Sequence, residues 1–191
     1  MIMSGENIME GVKSGWINIE PFDGEMLQPA SIDIRLGNEF IKYDNSYAWV
    51  GDDGTIDPER DNGHLMVKAT VADDEFVYLN PHEFMLGHTV EKITLSPRVA
   101  ARIEGRSSFG RLGLVVHCTA GFIDPGFSGQ ITLEFTNLAS YPIKLRPGLR
   151  VGQVCFIPLV TPSHVPYGTR AGSKYNEQSG ATVSRSQFDF Q

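Results

Sequence analysis

Short alternating runs, cut off from one another by glycine and proline, recur from Gln28 to Pro158. The clearest is Ile131-Thr132-Leu133-Glu134-Phe135. Successive side chains on a strand point to opposite faces, so Ile131, Leu133 and Phe135 share one face and Thr132 and Glu134 the other. Runs at Gln28–Leu36, Phe40–Tyr43, Phe76–Leu79, Phe84–Thr94, Val99–Glu104, Ile143–Leu145 and Val151–Pro158 predict further strands. In the first of these, Ile32, Ile34 and Leu36 share a face. Asn80-Pro81 and Arg146-Pro147-Gly148 read as turns. One helix is predicted, Asn7–Ser14, with Ile8, Met9 and Val12 on one face and Gly15 ending it. Many short strands with almost no helix predict an all-β fold: a sandwich, jelly roll or barrel.

A chain of 191 residues with 41% hydrophobic content predicts one domain with a substantial core. That domain is expected over residues 1–164. From Thr161 the composition turns to Ser, Gly, Tyr, Arg and Gln, so residues 165–191 read as a tail with no core of its own. Asp44–Asp61 is acidic and broken by Gly51, Gly54 and Pro58, a surface excursion that could include a short strand near Tyr47–Val50. A net charge of −7 argues against a general nucleic-acid binder. Cys118 and Cys155 lie in apolar runs outside any C-x-x-C pair and read as buried thiols of a reducing compartment. No stretch is long and apolar enough to span a membrane, and the first residues lack a secretory pattern. A cytoplasmic location is therefore expected.

Chemistry concentrates between Ala101 and Asn137. Gly105-Arg106-Ser107-Ser108-Phe109-Gly110-Arg111 places two guanidiniums and two hydroxyls together. A short helical turn could begin there, with Ser107 and Ser108 as cap candidates and backbone N–H groups suited to phosphate. Ser107 and Arg111, four apart, would share a face of that turn. Arg106 and Arg111 bring planar donors that fit phosphate oxygens. Glu134, a strand carboxylate beside such a cradle, could act as general base toward water. Taken alone, either block could be an ordinary polar turn or a solvated strand residue.

The blocks G-R-S-S-F-G-R-L-G-L, H-C-T-A-G-F-I-D-P-G-F-S-G and I-T-L-E-F-T-N, in this order, resemble the dCTP deaminase branch of the trimeric dUTPase superfamily. Gln28-Pro29-Ala30-Ser31-Ile32-Asp33-Ile34-Arg35-Leu36-Gly37 resembles that family's first motif. Lys174-Tyr175 with Gln178 and Gly180 resembles its tail. The resemblance implies a distorted jelly roll, a homotrimer, and active sites built at subunit interfaces. It implies Glu134 as catalytic acid/base, with Ser107 and Arg111 holding the water and the groups around it. Arg106, Ser108, Phe109 and Gly110 would bind triphosphate, and Asp124 the deoxyribose hydroxyl. Backbone groups of Thr132 and Leu133 would read the pyrimidine, and Gln153, Tyr167, Lys174 and Gln178 would close over the phosphates. Arg98, Arg102, Arg106 and Arg111 supply a candidate basic cluster. Mg²⁺ would travel on the phosphates with few or no protein ligands. dTTP is implied as a feedback inhibitor, as in similar enzymes.

Zinc deaminases carry H-x-E and P-C-x-x-C, and this sequence has neither. His117 reads as a strand or interface histidine rather than a ligand. Where deaminase-only members have a bulky histidine after Thr-Ala, this chain has Ala120-Gly121-Phe122. That block resembles the bifunctional members, which convert dCTP through to dUMP and pyrophosphate. Glycine there would leave room, in space and backbone angle, for a second water that Asp124 could orient. The glycine-rich arginine tail of plain dUTPases is absent. The alternatives are a deaminase that stops at dUTP and, from another class, a non-catalytic nucleotide-binding regulatory module.

Overall fold

The computed structural model describes residues 1–44, 55–169 and 171–190. The expected strand near Tyr47–Val50 lies outside the described residues. Twelve strands are described: β1 (Ile17–Glu20), β2 (Ile32–Arg35), β3 (Glu39–Tyr43), β4 (Met66–Thr70), β5 (Val77–Leu79), β6 (Phe84–Leu95), β7 (Val99–Gly105), β8 (Leu114–Val115), β9 (Phe122–Ile123), β10 (Ser128–Asn137), β11 (Ile143–Leu145) and β12 (Arg150–Pro158). Helix α1 (Gly5–Lys13) precedes them, and α2 (Ser107–Gly110) is a single turn after β7. One sheet runs β4-β3-β6-β10-β8, with β1 also paired to β6. A second runs β2-β12-β7-β9, and β5 pairs with β11. The pairings between these twelve strands are antiparallel, which gives the expected all-β jelly roll.

The alternation in β10 explains the packing. Ile131, Leu133 and Phe135 are buried, while Thr132 and Glu134 are half-buried on the other face. Phe135 joins Phe40 and Phe156, also fully buried, in the core between the sheets. Each such ring contributes on the order of 1.5–3 kcal/mol by leaving water. In β2, Ile32 and Ile34 are buried as expected, but so is Asp33 on the opposite face, at 3% exposure.

Three expectations need correction. The helix begins at Gly5 rather than Asn7, because Ser4 caps it and accepts from the Asn7 N–H at 3.4 Å. The Gln28–Leu36 strand shortens to Ile32–Arg35. Leu27 and Ile32 pair across a tight turn closed by Gln28 N–H to Ser31 O at 2.9 Å, with Pro29 inside it. Cys118 is exposed, in the segment after β8; Cys155 is half-buried, and burial pushes its thiol pKa up.

His88 on β6 ties the sheet to the β2–β3 connection. Its Nδ1 lies 2.8 Å from Thr89 O, and its Nε2 accepts from the Glu39 N–H at 3.3 Å. A Cβ on Gly37 would fall 2.1 Å from the ring, so glycine is required by space. Burial holds His88 below the ordinary histidine pKa; the hydrogen bond to Thr89 O and then Glu39 oppose this, and Lys68 adds to it. The unfolded chain therefore takes up this proton first, at about pH 6.5. The contribution is complete above that pH and is lost as pH falls toward the folded value. Glu39, lowered chiefly by its hydrogen bond with Lys68, loses its contribution only in the carboxylate range. The thermal midpoint should begin to fall between pH 7 and 5.5 (roughly the range where an unfolded histidine titrates); a flat midpoint there would contradict the assignment.

Candidate active site

β7 leads directly into α2. Arg106 is the extended residue before the turn and makes no side-chain cap, so neither serine caps it; Ser107 and Ser108 are its first two residues. The Arg111 N–H donates to Ser107 O at 3.0 Å, so these two residues stand one turn apart as expected. Arg106 Nη1 donates to Arg150 O at 3.3 Å, and its Nη2 lies 3.7 Å from Asp33 Oδ2. On β12, Gln153 Oε1 accepts from Ser31 Oγ at 2.6 Å and its Nε2 donates to Gly105 O at 3.3 Å. Arg106, Ser107, Ser108 and Gln153 line one cavity of ≈ 550 Å³, with Ser31 and Asp33 in its wall.

Two arginines of the candidate basic cluster have partners of their own. Arg98 stacks over Trp16 at 5.7 Å, and Arg102 pairs with Glu104 at 2.6 Å. Strand alternation carries Arg102 to an exposed face away from the core. Phe109 packs against the core, and Gly110 and Arg111 are exposed without lining either cavity.

Glu134 lines a different cavity, of ≈ 680 Å³, together with Asp124, Thr132, Ala120, Phe122, Tyr167 and Gln178. Its Oε2 accepts from the Cys118 N–H at 3.2 Å. Cys118 Sγ lies 3.6 Å from both Glu134 O and Thr136 Oγ1. Thr132 Oγ1 accepts from the Thr182 N–H at 3.3 Å, while Leu133 is wholly buried. His117 also lines this cavity, and both its ring nitrogens are buried without a hydrogen-bond partner. It lies past the end of β8, so it is not a strand residue.

Gly121 is buried behind this wall, and its O accepts from the Ile103 N–H at 2.9 Å. A Cβ there would stand 2.9 Å from Ile103 O. The residue is not among the glycines with positive φ, so closeness to β7 rather than backbone angle explains it.

The tail lies along β10. Glu177 N–H donates to Ser128 O at 2.6 Å, Gln130 N–H to Gln178 O at 3.0 Å, and Gly129 pairs with Gln178 in a parallel bridge. Ala181 is buried in a small cluster with Ile41 and Leu86, against which Val183 packs. The tail thus adds to the core through contact with the body, although its composition is polar. Tyr167 packs near Phe127, ring centroids 6.1 Å apart, and its hydroxyl accepts from the Tyr175 N–H at 2.9 Å. Lys174 Nζ pairs with Asp189 Oδ2 at 2.5 Å. Gln178 Nε2 donates to Gln130 O at 2.7 Å, leaving its Oε1 buried and unpartnered.

Of the residues singled out in the sequence, Arg106, Ser107, Ser108 and Gln153 line one cavity and Ala120, Phe122, Asp124, Thr132, Glu134, Tyr167 and Gln178 another, with no shared lining residue; Phe109, Gly110, Arg111, Gly121, Leu133 and Lys174 line neither. Ser31, Asp33 and Gln130 had been given no role. The first two stand in the quoted Gln28–Gly37 motif, which was their available signal. Among the described residues, no group of three or more His, Cys, Asp or Glu is placed to hold a metal ion. Among them, too, no helix is long and apolar enough to cross a membrane.

Residues 2–159 match the family described as dCTP deaminase-like. The chain is 50% identical over 192 aligned positions to a "dCTP deaminase, dUMP-forming" of Kocuria rhizophila, covering 100% of this chain and 97% of the relative. A protein of the same description from Mycobacterium tuberculosis is 47% identical, covering 100% and 98%. The fold is similar to the crystal structure of 2′-deoxycytidine 5′-triphosphate deaminase from Agrobacterium tumefaciens. The TM-score is 0.61 at 22% identity, over 81% of this chain and 46% of that one.

Proposed function

Because the chain belongs to the dCTP deaminase-like family, we propose that it is a bifunctional enzyme converting dCTP and water to dUMP, ammonia and pyrophosphate. The observation that carries this reading is the presence of two carboxylates, Glu134 and Asp124, on one cavity beside Thr132 and Gln178. Glu134 is held by a backbone N–H and half-buried, the setting of a carboxylate that exchanges protons with a bound molecule. It takes a proton from water as the oxygen attacks C4 of the pyrimidine. It returns that proton to the 4-amino group, the C4–N bond breaks to release ammonia, and the remaining hydroxyl proton passes to N3 as the C4 carbonyl forms. The product, dUTP, then loses pyrophosphate when a second water, oriented by Asp124, attacks the α-phosphorus.

Arg106, Ser107, Ser108 and Gln153 bind the triphosphate from a cavity separate from that of Glu134. That separation supports a site completed between subunits, with Ser107 and Arg111 of one copy facing Glu134 of the next in a homotrimer. The tail, residues 165–191, closes the Glu134 side through Tyr167, Lys174 and Gln178. Mg²⁺ enters as the complex with the substrate phosphates, neutralising charge rather than occupying a protein cage. The enzyme works in the cytoplasm, supplying dTTP precursors, and dTTP is a feedback inhibitor.

Incubation with dCTP and Mg²⁺, followed by chromatography over time, tests this. dUMP and pyrophosphate should rise together, with little free dUTP. Accumulating, uncleaved dUTP would leave a deaminase alone. Binding without turnover would leave a regulatory module.

A further inference from the structure

We propose that Gln130 is the positioning residue that seats the tail over the nucleotide cavity, and that it thereby sets nucleotide affinity without taking part in the chemistry. The inference rests on the reading of that cavity given above. Four polar groups of Gln130 are committed. Its N–H donates to Gln178 O at 3.0 Å, and its carbonyl accepts from Gln178 Nε2 at 2.7 Å. Its side-chain Nε2 donates to Val90 O on β6 at 3.1 Å. Its Oε1 accepts from the Gly180 N–H at 2.7 Å and from Ser179 Oγ at 3.4 Å.

The β6 contact is what gives the side chain its direction. With Nε2 fixed on a strand carbonyl, Oε1 must face the tail, so the amide bridges a rigid sheet and a polar segment. Gly180 meets it at φ +70°, a backbone angle that glycine adopts most readily. Residues 178, 179 and 180 are thus held in succession by one residue of β10. The Gln178 side chain is folded back, and its unpartnered Oε1 lies in a residue that lines the Glu134 cavity. A residue that orders a closing segment contributes to substrate and transition state alike, which appears in KM rather than kcat.

The test uses the full chain with Gln130→Ala and Gln130→Met. Methionine keeps the bulk and removes the amide. Both variants should raise KM for dCTP about 10-fold, the effect of losing side-chain hydrogen bonds to a docked segment, with kcat changed by less than about 3-fold. Tryptic cleavage at Lys174 and Arg185 should quicken while the thermal midpoint holds. Unchanged KM and unchanged tail cleavage would overturn the proposal. So would a normal Gln130→Met variant, because packing and not the amide would then be responsible. So would a joint fall of kcat and thermal midpoint in both variants, the mark of a merely structural role. A wild-type chain that never turns over dCTP would refute the functional reading instead. Tail cleavage would then still decide whether Gln130 holds the segment.

Discussion

Glu134→Gln is expected to lower dCTP deamination by ~10²–10⁴-fold while nucleotide binding persists. The amide fits the same space on β10, and its oxygen can still accept the Cys118 N–H that holds Glu134 Oε2. It cannot take a proton from water, so the loss should fall on kcat. Steady-state rates with a separate binding measurement check this; near-normal turnover by a folded variant would remove Glu134 from the mechanism. The same variant also tests the divided site. Co-expressed with Arg106→Ala, it should regain activity in mixed trimers, in roughly one site of four by random assembly. Each restored site would take its glutamate from one chain and its arginine from the other. If each chain carries a whole site, the mixture stays inactive.

Gly121→His should damage dUTP cleavage more than dCTP deamination. A side chain at this position starts 2.9 Å from Ile103 O, a backbone atom in a paired strand that cannot swing aside. Relief must come from β9, whose Phe122 and Ile123 pair with Arg102 and Ala101. That displacement carries the adjoining Asp124. A misplacement on the order of 1 Å can cost about 10²-fold where a group must orient a reacting water. Glu134 is carried by β10 itself, and its link to this segment is at Cys118, ahead of the displaced residues, so deamination should suffer less. Initial rates with each nucleotide, on protein of unchanged assembly, give the ratio. Equal loss of both activities would show that the block does not separate them.

Glu134 was legible because a period-two pattern needs only its neighbours: Ile131, Leu133 and Phe135 turn inward, and the carboxylate must turn out. β11 was legible for the same reason, whereas β6 alternates in burial only from Thr89 onward and is buried on both faces before that. β8 and β9, two residues each, are too short to show a period, and they exist through pairing with β10 and β7. The exposure of Cys118 was hidden by the apolar run before it. Arg98 and Arg102 looked like partners of Arg106 in the sequence, but Trp16 and Glu104 claim them in space. The division of site residues between two cavities is a matter of which strands meet, and local pattern does not encode that. The tail's seat on β10 combines main-chain pairs at Ser128 and Gln130 with bonds between side chains and main chain at Gln130 and Thr132, partners set by tertiary approach, so composition gave no sign of it.

The pair between Lys174 and Asp189 alters what ionic strength should do to nucleotide binding. A lysine waiting free in water would gain a counter-ion when phosphate arrived, and added salt would weaken that gain directly. Lys174 already has a partner, one whose side chain is 62% exposed. Meeting a phosphate therefore means exchanging one anion for another, and mobile ions screen both states. The lysine's contribution to affinity is the difference between two screened pairs, so its share of the salt dependence largely cancels. In its proposed role over the phosphates, its specificity for a nucleotide would then reside in geometry, in how many phosphate oxygens it reaches beyond the single carboxylate it releases.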